Sequence, residues 1–137
     1  MRRGLITASV VLFTFTSICL ADPVPDIREG QWEISTKMEI PGMPTNLPPV
    51  KNTQCLTDKD FVPENSEPGQ ECKFSETKVT GNKVTWRMEC KGQGGEMKGT
   101  GEITYSGDTF KGKMKIQMPQ TSMEMTSHMD GRRIGDC

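Results

Sequence analysis

The chain has 137 residues, 17 basic and 18 acidic side chains and one histidine, for a formal net charge of −1. That length fits one domain. The charge balance lacks the basic excess that a phosphate backbone demands, so nucleic acid is excluded as an expected partner.

The chain opens on Met1-Arg2-Arg3, and the run from Leu5 to Leu20 is apolar apart from a few Ser and Thr. Cys19-Leu20-Ala21 then reads as a small-residue cleavage site before Asp22-Pro23, the pattern of a secretory signal peptide. The apolar run is shorter than the roughly 20 residues of a membrane span. Acylation at Cys19 is disfavoured because Ile18 is too bulky for a lipoprotein motif. Residues 1–21 are therefore expected to be a signal peptide and 22–137 a single exported domain, periplasmic or secreted, with no membrane span.

Gly30 to Ile40 places Trp32, Ile34, Met38 and Ile40 on one face, which predicts a first strand. Pro41 to Val50 carries four prolines and reads as an extended loop. Thr53 to Thr57 is a short second strand. Asp58 to Glu71 is acidic and broken by Pro63, Pro68 and Gly69. Its carboxylates do not match the spacing of a calcium loop, so it reads as a solvated connection.

Cys72 to Cys90 reads as two strands around a turn at Gly81-Asn82. Val84, Trp86, Met88 and Cys90 alternate with Lys83, Thr85, Arg87 and Glu89. A three-residue loop, Thr80-Gly81-Asn82, would pair Val79 with Lys83 and set Cys72 opposite Cys90. Lys91 to Gly101 holds five glycines but no Gly-Lys-Ser/Thr, so it reads as a flexible hairpin connection or a bulged strand start. Ile103 and Tyr105 continue as a strand, which turns at Ser106-Gly107-Asp108. Phe110, Met114, Ile116 and Met118 return on one face. Lys111, Lys113 and Lys115 take the other, where they could meet an anion or a membrane surface; the preferred reading is that they keep the strand soluble and discourage edge pairing. Met123, Met125 and Met129 share a face on the last strand. The sum is an all-β antiparallel meander of about six to eight strands, closed into a barrel or strongly curved to bury its apolar face.

With Cys19 gone, Cys55, Cys72, Cys90 and Cys137 remain, an even number in a small exported chain. The hairpin register selects Cys72–Cys90 and leaves Cys55–Cys137. No CxxC pair supports a zinc site.

Catalytic residues are not expected. His128 is the one histidine and has no nucleophile elbow around it. Methionine is the compositional oddity: Met38, Met43, Met88, Met97, Met114, Met118, Met123, Met125 and Met129 all follow the leader. Thioethers fill cores and line adaptable apolar pockets, and they also suit Cu(I). The preferred reading is core or pocket wall. The pocket-lining candidates are Trp32, Trp86, Met88, Phe110, Met114 and Met125. The metal alternative uses Met123, Met125, His128 and Met129, although His128 is out of phase with Met125 and Met129 on a strand.

Gly30-Gln31-Trp32-Glu33, Pro41-Gly42-Met43-Pro44, Thr53-Gln54-Cys55-Leu56, Cys72, Val84-Thr85-Trp86 to Cys90, Gly99-Thr100-Gly101 and the ending Gly131 to Cys137 together resemble the bacterial exported domain-of-unknown-function family 3617. The resemblance covers nearly the whole chain after the leader and implies a periplasmic or secreted location without an established activity. Gly30-Gln31-Trp32 is also similar to the Gly-x-Trp of lipocalin-like barrels. That similarity implies that Arg132 or Arg133 lies across Trp32 by cation–π stacking. Together these readings lead to a non-catalytic envelope protein without a cofactor, binding a small apolar ligand or a protein partner. The alternatives are soft-metal handling and a structural or stress-related envelope protein without a pocket.

Overall fold

The computed structural model describes residues 22–44, 47–64 and 68–137. The expected signal peptide lies outside the described residues. Seven strands form: β1 (Gly30–Glu39), β2 (Val50–Leu56), β3 (Gln70–Thr80), β4 (Lys83–Gly92), β5 (Gly95–Ser106), β6 (Thr109–Met118) and β7 (Met123–Gly135). They make one antiparallel sheet in the order β2-β1-β7-β6-β5-β4-β3, curled into a half-barrel. Among the described residues there is no helix.

From β3 to β7 the chain is a run of hairpins, as the turn signals predict. The meander breaks at its other end, because β1 pairs with β7 and β2 lies outside β1. The strands β2 and β3 are thus opposite edges of the sheet. The half-barrel stays open, since its edges do not pair.

Period-two alternation sets the faces. On β4, Val84, Trp86, Met88 and Cys90 are buried while Lys83, Arg87 and Glu89 are exposed. On β5 and β6 the same rule buries Ile103, Tyr105, Phe110, Met114 and Ile116. These residues join Trp32, Ile34, Leu56, Met125 and Met129 in one core on the concave face.

The β3–β4 hairpin corrects the expected register. Thr80 pairs with Lys83, so the turn is the two residues Gly81-Asn82, with Gly81 at φ 60°. A two-residue turn alone would set Cys72 and Cys90 out of register. A bulge restores it: Glu76 and Thr77 together face Trp86, and Glu76 has φ 51°. Beyond the bulge Cys72 pairs with Cys90 and the two are disulfide-bonded. The second disulfide joins Cys55 to Cys137, as the pairing argument requires.

Two further expectations change. The glycine-rich stretch is strand from Gly95 onward, with only Gln93-Gly94 turning. Gly99 and Gly101 meet bulky neighbours rather than supplying a loose connection. A Cβ at Gly101 would lie 2.3 Å from the Trp86 ring, and one at Gly131 on β7 would lie 2.1 Å from Phe110. Each glycine is the cross-strand partner of the aromatic that covers it. Moreover β6 is interior, flanked by β5 and β7, so Lys111, Lys113 and Lys115 do not guard an edge.

Candidate functional site

The concave face has two unlike ends. At one end the aromatics are packed solid. Trp32 stacks on Phe110 at 5.6 Å between ring centroids and meets Tyr105 edge-on at 6.0 Å. Tyr105 and Phe110 meet at 5.4 Å. Trp32 Nε1 donates to the Arg28 carbonyl at 3.1 Å, satisfying its polar atom while its ring stays buried. The Tyr105 hydroxyl donates to the Phe61 carbonyl, which anchors Phe61 over this end. Burial pushes the Tyr105 phenol above its ordinary pKa. Arg133 stands opposite Trp32 in the backbone register. Its guanidinium, however, is engaged by the Glu29 carbonyl and the Asp136 carboxylate, and the neighbouring Arg132 reaches outward to Glu33 at 3.0 Å.

At the other end the face is lined by thioethers around a cavity of about 220 Å³. Met88 and Cys90 come from β4, Met97 from β5, Met114 and Ile116 from β6, and Met125, Ser127 and Met129 from β7. Thr36 and Met38 of β1 form one rim; Gln70 and Phe74 of β3, with Pro63, form another. Behind two of these thioethers, the missing side chain of Gly99 leaves room for Met88 Cε and Met114 Sδ, 3.3 and 3.6 Å from where a Cβ would stand. Met88, Met114 and Met125 are at most 9 % exposed, whereas Met38 at the mouth is 43 % exposed. The lining is therefore apolar, soft and rich in rotatable bonds.

Of the six pocket residues expected from sequence, Met88, Met114 and Met125 line this cavity. Trp32, Trp86 and Phe110 share the same core but not the cavity wall. Met97, Met129, Phe74 and Met38 complete the wall. Met129 and Met38 were legible as inward by alternation, whereas Met97 was hidden in the glycine-rich stretch.

The metal alternative is not assembled as a set. Met125 and Met129 face the cavity, Met123 is 42 % exposed at the start of β7, and His128 is on the opposite face. His128 Nε2 lies 3.4 Å from the Glu39 carboxylate there. Among the described residues no group of three or more His, Cys, Asp or Glu side chains converges to hold a metal ion. Asp58 and Asp60 of the acidic segment are exposed, and the Asp58 amide donates to Glu29.

Residues 27–137 match a family model described as protein of unknown function (DUF3617). No curated protein and no solved structure matches this chain.

Proposed function

We propose that this chain, which belongs to the DUF3617 family, is a non-catalytic binding domain of the cell envelope whose methionine-lined cavity receives one apolar group. The observation that carries this reading is the contrast along one face: solid aromatic packing at one end, and at the other a cavity with six thioethers in its wall. Two disulfides fit folding in an oxidising compartment. Residues 1–21 are then the export signal, and the domain works in the periplasm or outside the cell.

Size narrows the occupant. The cavity, about 220 Å³, is below the range of about 300–1,000 Å³ for pockets that enclose a drug-sized ligand. It exceeds the roughly 150 Å³ that holds benzene. One short alkyl chain or one aromatic side chain of a partner fits; a large lipid buried whole does not. A structural protein without a pocket is disfavoured by the same cavity.

Octanoate and toluene, titrated into protein labelled at the methionine methyl carbons, test this reading. The methyls of Met88, Met97, Met114, Met125 and Met129 should shift and saturate, with exposed Met43 unmoved. Uniform drift, or no response to either probe, would sink it. Native mass spectrometry of protein from its source then identifies the natural occupant.

The thioether wall also supports a second reading, Cu(I) binding through methionines alone, without His128. Tight Cu(I) uptake that survives His128→Ala but is lost in Met114→Leu/Met125→Leu would favour it over the apolar one.

A further inference from the structure

We infer that the outer face of the sheet carries an anion site for a phosphate or phosphoester group, separate from the methionine cavity. Arg87, Thr100 and Lys115 are direct cross-strand partners on β4, β5 and β6. Adjacent strands lie about 4.8 Å apart, so a guanidinium and an ammonium flank a hydroxyl within about 10 Å. The next row outward on the same face is Thr85, Glu102 and Lys113. These side chains, with Glu76 and Lys78 of β3, line a depression of about 540 Å³.

The charge in it is unbalanced. Glu76 is held by Arg87 at 2.8 Å, and Glu102 is held at 2.8 Å by Lys83, which lies outside the depression. The Lys83 bond, reinforced by the nearby charge of Lys113, keeps the Glu102 carboxyl below its ordinary pKa. Among the described residues Lys78, Lys113 and Lys115 form no ion pair. Three ammonium groups are thus left over on a chain whose net charge is −1. Lys113 and Lys115 are not edge guards, because β6 is interior, whereas Lys78 stands on the edge strand β3.

The donor set selects the anion. A guanidinium, three ammonium groups and the Thr85 and Thr100 hydroxyls line this one depression. That geometry suits the several oxygens of a tetrahedral phosphate better than the two of a carboxylate. The β3 bulge contributes by setting Glu76 against Arg87, so the bound anion competes with Glu76 for the guanidinium.

The test is amide chemical-shift titration of the whole domain with sodium phosphate, against sodium chloride at matched ionic strength. Phosphate should move the amides of Thr85, Thr100, Lys113 and Lys115 saturably. Lys113→Gln/Lys115→Gln should weaken binding at least fivefold, and Glu76→Gln should tighten it by freeing Arg87. All these positions are exposed or half-buried, and an unchanged spectrum elsewhere shows that each variant folds. A second arm uses vesicles of phosphatidylglycerol against phosphatidylcholine. Co-sedimentation with the anionic vesicles alone assigns the phosphate to a headgroup; response to inorganic phosphate alone assigns it to a soluble ligand. Shifts equal to those in chloride together with no vesicle binding, or binding unchanged in the double lysine variant, would overturn the site. Neither result bears on the methionine cavity.

Discussion

The two ends of the concave face are built on the same strands yet solve different problems. Trp32, Tyr105 and Phe110 interlock, and Gly131 gives Phe110 the room to lie flat. Rings have few rotamers, so such packing is rigid once made. Met88, Met97, Met114, Met125 and Met129 surround open volume instead. Thioether chains have several rotatable bonds, and a lining built of them tolerates change. Each end also has its own staple: Cys55–Cys137 holds β2 to the end of β7 beside the aromatics, and Cys72–Cys90 holds β3 to β4 beside the cavity. The lesson is that one buried face can hold a solidly packed end beside an open one.

Removing the staples separates the ends most strongly. Cys55 and Cys137 are 82 residues apart and Cys72 and Cys90 only 18. By loop-closure entropy, Cys55→Ser/Cys137→Ser should cost about 4.5 kcal/mol and Cys72→Ser/Cys90→Ser about 3 kcal/mol in urea melts. An equal or reversed cost would mean that the ends are not stapled as described.

Truncation comes next. Trp32→Ala should cost about 3–5 kcal/mol, whereas Met125→Ala, beside space that already exists, should fall near the low end at about 2 kcal/mol. Met125→Leu should stay within about 1.5 kcal/mol. A third pair compares glycines. Gly131→Ala forces a methyl into the Phe110 ring and should cost about 1–3 kcal/mol by overpacking. Gly99→Ala meets the Lys115 carbonyl at 3.2 Å and the movable end of Met88 at 3.3 Å, far looser than the ring contact at Gly131, and should cost less.

The smallest effect is read in alkali. The folded chain keeps the Tyr105 phenol protonated to higher pH than the unfolded chain does. The unfolded chain therefore releases that proton first, above about pH 10. Stability should be full below that pH and fall as pH rises, by up to about 1.4 kcal/mol per unit. In Tyr105→Phe the slope should be shallower by that amount.

Much of this contrast was legible in the residues. Alternation on β4 placed Val84, Trp86, Met88 and Cys90 inward without any coordinates. The even cysteine count, with the hairpin, selected both disulfides. What stayed hidden has physical reasons. A bulge at Glu76-Thr77 has no side-chain signature, so the turn was read one residue too long; the two errors cancelled at Cys72. Glycines that make room for a cross-strand ring look like loop glycines until the partner strand is known. Alternation also says which residues point inward, not which meet a packed neighbour. Trp86 and Met88 are indistinguishable by phase, yet only Met88 lines the cavity.

Xenon is the most direct probe of the two-ended face, because it enters dry apolar cavities and ignores packed cores. Diffraction from a xenon-pressurised crystal should show an atom among Met88, Met114, Met125 and Met129, and none beside Trp32. Xenon at the aromatic end, or no xenon on the concave face, would contradict the account.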